Sequence, residues 1–223
     1  MNETTAFLDC RCGACRITLC DPRMRFRTEC LCCDCRQRGL ISAAKRSGND
    51  LPSAVADYAR GIDLYYFANA FLIDDDSRDR LEVFKLRDDA FNTTAISACC
   101  GTLMCGTHPA YDGCSISVNA DSCTVTVANV MENQAVLFGC DIPPDRYAAI
   151  VERDDLPKVY SVYAEIDSAP VVALLDALRT PVAAQYLRDG CTTFEALCAG
   201  KTLKMDNSFF EESRRGKPPL ASG

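Results

Sequence analysis

The sequence predicts a mainly β protein of antiparallel sheets, followed by a short helical extension at its C-terminal end. Three observations carry that expectation. Between residues 64 and 166, short runs rich in Val, Ile, Tyr, Phe and Thr are bounded by Asp, Asn and Gly, the pattern of strands joined by turns. After Ile166 the texture changes to leucine-spaced runs opened by capping residues. Finally, 16 of the 223 residues are cysteine, several-fold more than an average intracellular protein needs, and they are gathered in tight clusters.

Taken in order, residues 1–40 hold short apolar runs broken by cysteines and show no helical periodicity. Residues 42–61 are small and polar, with Gly48 and Pro52 as punctuation, and predict a long loop containing about one helical turn. Strands are expected over 64–67, 81–86, 115–118, 124–130, 135–138 and 160–166, with residues 119–122 (Asn-Ala-Asp-Ser) as a hairpin connection. Ser168 and Pro170 open a helix running to Arg179 with leucines at 174, 175 and 178. Thr180-Pro181 repeats the start signal for a second helix to Leu187, ending near Gly190. Thr192 to Glu195 reads as a capping box for a third that ends at Gly200. The organisation expected is a cysteine-bearing domain over 1–166, a helical extension over 167–205 and a flexible tail over 206–223.

Composition excludes several functions. One histidine and no tryptophan rule out Cys2His2 fingers, HExxH sites and three-histidine metal centres. A net charge of −7 disfavours a nucleic-acid or microtubule binder. No run approaches the roughly 20 apolar residues that span a bilayer, so no membrane association is expected. The first ten residues carry no basic segment followed by an apolar run, which points to a cytoplasmic protein. In a reducing compartment thiols persist, and clustered cysteines are better explained by metal than by disulfides, with zinc the default.

Tetrahedral zinc needs four deprotonated ligands, and cysteines two or three apart on a tight turn can aim two sulfurs at one ion. Cys10-Arg11-Cys12-Gly13 is such a unit, its glycine permitting a sharp turn that aims backbone amides at sulfur. The pair most able to complete it is Cys99 and Cys100, followed by Gly101 and Thr102. A second set, Cys30, Cys32 and Cys35, offers three ligands from one short loop. Three protein ligands leave a coordination position for substrate, the arrangement of a working metal. A three-thiolate zinc is a weak Lewis acid, suited to holding a soft thiol ligand.

Three ordered motifs, at residues 9–16, 30–39 and 99–102, resemble the glutathione-dependent formaldehyde-activating enzyme family, which is shared with centromere protein V. That family runs C-x-C-G, then C-H-C-x-x-C-R, then C-x-x-C-G-[ST]. The resemblance covers about residues 8–130. It implies coiled, zinc-stapled sheets like those of small Rab-exchange-factor zinc proteins, with two zinc ions per chain, one structural and one catalytic. It also implies carbon–sulfur lyase chemistry on an adduct of a small-molecule thiol such as glutathione with an aldehyde such as formaldehyde. Cys10, Cys12 and Cys100 would hold the structural ion, and Cys30, Cys32 and Cys35 the catalytic one. Two positions depart from the pattern: Ser97 stands where the family has the first cysteine of its last motif, and Leu31 stands where it has histidine. Ligand four of the structural site is therefore Cys99 on a rearranged turn, or Cys15, or Cys105.

Other readings compete. The second set also suits a closed structural zinc completed by Cys33 or by a remote cysteine, which would make the chain a noncatalytic binding or chaperone-like module. The adjacent pairs Cys32-Cys33 and Cys99-Cys100 also suit a thiol redox sensor. Arg36 and Arg38 could receive the carboxylates of an anionic thiol, or simply face solvent. Cys114, Cys123, Cys140, Cys191 and Cys198 are expected as buried, inert thiols, Cys20 is open, and His108 is not expected to act in catalysis. Asp74 to Asp76 should form an exposed turn between strands.

Overall fold

The computed structural model describes residues 6–49, 61–152 and 155–205. Its strands in chain order begin with β1 (Ala6–Asp9), β2 (Arg16–Leu19), β3 (Phe26–Cys30), β4 (Ile62–Ala68), β5 (Phe71–Leu72), β6 (Leu81–Lys85) and β7 (Thr93–Ser97). There follow β8 (Leu103–Thr107), β9 (Ser115–Asn119), β10 (Thr124–Thr126), β11 (Ala135–Leu137), β12 (Lys158–Val159) and β13 (Leu203–Met205). The helices are α1 (Cys33–Ser47), α2 (Asp75–Asp79), α3 (Pro144–Val151), α4 (Ala169–Arg179) and α5 (Phe194–Ala199). The fold is mainly β, as the composition predicts.

The strands form two sheets. A four-stranded sheet runs β10-β1-β2-β5, and a nine-stranded sheet runs β12-β11-β3-β4-β9-β8-β7-β6-β13. Alternation drives the smaller one: Ala6, Leu8, Ile17 and Leu19 are buried while Phe7 and Thr18 are only half-buried. Its inner face meets Phe67, Met104 and Ile116 of the larger sheet, and α5 closes that core with Phe194 and Leu197. Burying Phe194 is worth about 1.5–3 kcal/mol. A second core lies on the far part of the large sheet, where Val171, Leu174 and Leu178 of α4 pack on Phe26, Leu64 and Tyr66.

Several expectations are corrected. The large sheet is not purely antiparallel, because β11 pairs parallel with β3 and β12, and β13 pairs parallel with β6. The turn at 119–122 exists, with the Ser122 amide donating to the Asn119 carbonyl, but it joins no hairpin: β9 lies in the large sheet and β10 pairs with β1 in the small one. Residues 160–166 are turns, since the Ser161 amide donates to Glu165 and the Ala164 amide to Ser161 Oγ, local bonds that compete with a ladder. The second C-terminal helix is a single 3-10 turn over Ala184–Tyr186. For α5 the cap is Thr193, not Thr192, and Glu195 instead accepts from Asn69 Nδ2 at 2.7 Å.

The largest departure is α1, which replaces the loop expected from residue 42 onward up to Ser47. Its buried face includes Cys33, Asp34, Gln37 and Arg38 beside Ile41, so apolar periodicity is absent. Helix propensity remains in Arg, Gln, Leu, Ala and Lys, and Gly48 at φ 68° ends the helix with its amide on Ala44. The helix α3 opens with Pro144 at its first position. Residues 50–60 of the expected loop and the tail from 206 lie outside the described residues. Asp74 to Asp76 are exposed as expected, but they open the short helix α2, with Asp74 as its cap, in place of the expected turn.

Candidate metal centres

Two turns from different sheets build the first cluster. Between β1 and β2 the chain reverses at Gly13, φ 75°, with the Gly13 amide on the Cys10 carbonyl and the Cys10 amide on Cys15. Between β7 and β8 it reverses at Gly101, φ 65°, with the Gly101 amide on Ser97 and the Ser97 amide on Thr102. The turns meet, held by the Arg11 amide donating to Thr102 Oγ1 at 3.1 Å. Sulfur positions follow. Cys10 Sγ lies 3.5 Å from Cys12 Sγ and 3.8 Å from Cys99 Sγ, Cys12 Sγ lies 3.3 Å from Cys99 Sγ, and Cys99 Sγ lies 4.0 Å from Cys100 Sγ. Four sulfurs at about 2.3 Å from one ion stand about 3.8 Å apart, so this set fits a tetrahedral cation. The Cys15 amide donates to Cys10 Sγ at 3.2 Å, an outer contact that supports thiolate.

This geometry assigns the fourth position to Cys99 on a rearranged turn. The Cys15 thiol instead approaches the Ser77 carbonyl, and Cys105 is buried in the apolar core. Ser97 does not approach as a ligand but as an orienting group: its Oγ lies 3.3 Å from Cys100 Sγ and accepts the Thr102 amide. Burial pushes the Cys100 thiol up, but contacts with Ser97 and Thr102 outweigh it and bring it down to about 5. Burial and the Cys12 contact push Cys99 up to about 12.

The second cluster forms where β3 runs into α1. Cys30 ends the strand, Cys32 caps the helix through its sulfur, which accepts from the Cys35 amide at 3.3 Å, and Cys35 lies in the first turn. Cys30 and Cys32 sulfurs are 3.3 Å apart, and the three sulfurs gather within 4.8 Å. Hydrogen bonds from Cys30 and Cys32, and then the Arg38 guanidinium, hold Cys35 well below the usual thiol range. Cys33 turns away, its amide on the Asp141 carboxylate at 2.9 Å and its thiol on the Asp141 carbonyl. Among the described residues no fourth Cys, His, Asp or Glu joins this set.

The three sulfurs form part of the wall of a cavity of about 260 Å³. Around it run six rings in contact: Tyr66 with Tyr111 at 5.9 Å, Tyr111 with His108 at 5.5 Å, His108 with Phe91 at 5.3 Å, Phe91 with Tyr163 at 6.2 Å and Tyr163 with Phe138 at 6.0 Å. Leu174, Leu175 and Leu178 of α4 close another side.

Of the two arginines singled out from the sequence, both are buried, which removes the solvent-facing alternative. Arg38 lines the cavity and donates from Nη2 to Cys35 Sγ at 3.2 Å. Arg36 does not line it and donates to the Leu31 carbonyl. His108, for which the sequence gives no role, lines the cavity, with Nδ1 accepting from the Ala110 amide. The rings and His108 come from strands, loops and turns far apart in the chain, and only the Asp34-Cys35-Arg38 stretch is local. Cys123 and Cys140 are buried thiols as expected, whereas Cys114 and Cys198 are half-buried. Cys191 is corrected from a buried thiol to a disulfide with Cys20.

The fold and the sites define a mainly β protein with two cysteine clusters, each able to hold a metal ion. Comparison of the chain with models of known protein families and with characterised proteins finds no match. Among the described residues no helix is long and apolar enough to cross a membrane.

Proposed function

We propose that the protein is a zinc-binding carbon–sulfur lyase of the formaldehyde-activating type, acting on a thiol–aldehyde adduct of which S-hydroxymethylglutathione is the model. The observation that carries this is the second cluster: three converging sulfurs, a neighbouring cysteine turned aside, and a cavity lined by all three cysteines. The three short motifs and their order support the family. The first cluster suits a structural zinc and the second a working one.

Bound there, zinc would stabilise as thiolate the sulfur that leaves the carbon, and would lower the pKa of the thiol product. The residues supply the rest. Arg38 offsets the negative charge of a three-thiolate centre that gains a fourth sulfur, in a site where low dielectric makes that charge expensive. The apolar walls hold the adduct away from water and limit its orientations. Cleavage breaks one carbon–sulfur bond, the sulfur keeps the electron pair, and the hydroxyl proton passes to it, giving thiol and aldehyde with no further reactant. A noncatalytic module would need a closed second site, and Cys33 is engaged with Asp141 instead.

Elemental analysis after gel filtration tests this, together with release of formaldehyde from a hydroxymethyl thiol. Two zinc ions per chain are expected, falling to one with loss of turnover in Cys35→Ser and staying at two in Cys33→Ser. A zinc content that drops equally in both variants would reject the open site.

A further inference from the structure

We infer that the cavity beside Cys30, Cys32 and Cys35 takes an aromatic thiol bearing one carboxylate close to its sulfur, in preference to glutathione. This deepens the open-site reading above and rests on it. The first argument is the wall. Six rings in an unbroken series of contacts, with leucines opposite, offer a planar body stacking and edge contacts worth about 0.5–1.5 kcal/mol per ring pair beyond burial.

The second argument is the inventory of charge. Glutathione brings two carboxylates, an ammonium and two amides, each of which loses solvation in such a cavity unless met. Asn92, Thr94, Ser117 and Asn119 can meet amides, but the charged groups lining it are Asp34, Arg38 and Arg179. Asp34 is held by Arg87 at 3.0 and 3.3 Å, and Arg179 pairs at the surface with Asp112 at 3.3 Å. That leaves Arg38. It is 7% exposed, its Nη2 is on Cys35 Sγ, and its Nη1 is buried with no hydrogen-bond partner among the described residues. A buried guanidinium donor without an acceptor is costly, and it asks for one anionic oxygen. Since Nη1 and Nη2 share one carbon, that oxygen must sit within a few ångströms of the cluster, so the acid and the sulfur of the ligand must be close together.

Isothermal titration of the zinc-loaded protein with 2-mercaptobenzoate, thiophenol, benzoate and glutathione tests this, paired with the sulfur-to-metal absorption of the cobalt-substituted protein. The mercaptobenzoate is expected to bind at least about tenfold more tightly than glutathione and than either single-function ring compound. It should also shift the cobalt spectrum. Arg38→Gln should remove most of its advantage over thiophenol. Because Arg38 is buried and its loss could unfold the chain, Phe91→Ala, at a ring 42% exposed, serves as the second variant and should weaken both aromatic thiols several-fold but not glutathione. Glutathione binding as tightly as the mercaptobenzoate would overturn the inference while leaving the open site standing. Failure of every thiol to alter the cobalt spectrum would overturn the open site, and the inference with it.

Discussion

Substituting two glycines should move stability in opposite directions. Gly101 forms the tip of the turn that carries Cys99 and Cys100, at φ 65°, and a Cβ there would stand 2.8 Å from Lys45 Cβ and 3.2 Å from the Ser42 carbonyl oxygen of α1. A left-handed conformation costs an L side chain about 1–2 kcal/mol. Overpacking against α1 adds about 1–3 kcal/mol, because Ser42 Oγ already donates to the Gly101 carbonyl at 2.5 Å and the turn has no room to retreat without losing it. Gly101→Ala should therefore lose about 2–5 kcal/mol, and at roughly 2–4 °C per kcal/mol for a chain of this size it should melt at least about 4 °C lower. Gly39, inside α1, has no positive φ, and a Cβ added there would meet nothing within 4 Å. Gly39→Ala should gain about 0.4–1 kcal/mol by restricting the unfolded chain. Thermal unfolding of metal-loaded protein, followed by circular dichroism, measures both. Equal melting of Gly101→Ala and the parent, or a comparable loss in Gly39→Ala, would refute the docking of this turn on α1.

Three further outcomes follow from named contacts. The Asp34–Arg87 ion pair is buried, with side chains 9% and 10% exposed, but Arg87 keeps a second pair with Asp89 at 2.9 Å, so Asp34→Asn should lower stability by about 1–3 kcal/mol in urea titration; a change under about 0.5 kcal/mol would mean the pair is solvated. Asp21 is buried, which raises its carboxyl, but bonds from the Arg23 side chain and amide more than offset this and hold it below the usual range. Its stabilisation is complete above about pH 4 and is lost as pH falls through the lower folded value, so Asp21→Asn should lose less stability than the parent on acidification below that pH. A digest made without reduction should yield a linked Cys20–Cys191 peptide, and alkylation of Cys191 in the native protein would contradict the bond.

What the sequence made legible was the part written in short spacings. Strands at 64–67, 81–86, 115–118 and 135–138 announce themselves by β-branched and aromatic residues, and both cysteine clusters by local spacing and glycine. The unread part depends on partners distant in sequence. The helix α1 has a buried face of Cys33, Asp34, Gln37 and Arg38, residues whose burial makes sense only with Arg87 and Asp141 brought against them. The strand β10 looks like the second half of a hairpin until β1 offers it an edge. The aromatic wall draws on residues from 66 to 163, with no local signature. Leu31, which replaces the histidine of the resembled family, is fully buried beside Val136 and Ile142, so its side chain belongs to the core and takes no part in the site.

The two clusters are joined by one helix, and this orders their roles. At its first turn α1 presents Cys35, and one turn later Arg38, to the cavity, with the positive end of its dipole beside three thiols. At its other end Ser42 holds the Gly101 carbonyl, Arg46 donates to Ser42 Oγ at 2.7 Å, and Lys45 reaches Glu82 of β6 at 2.6 Å. The first cluster fixes the turn, the turn fixes the last half of the helix, and the helix fixes the angle at which Cys35 and Arg38 meet a ligand. A cation held by Cys10, Cys12, Cys99 and Cys100 would therefore act on the cavity without touching it, by stapling two sheets whose contributing residues lie 87 positions apart and setting the seat of α1 between them. The influence is weaker in the other direction. Cys30, Cys32 and Cys35 sit within one strand end and one helical turn, so losing their ion leaves the connection between the sheets intact.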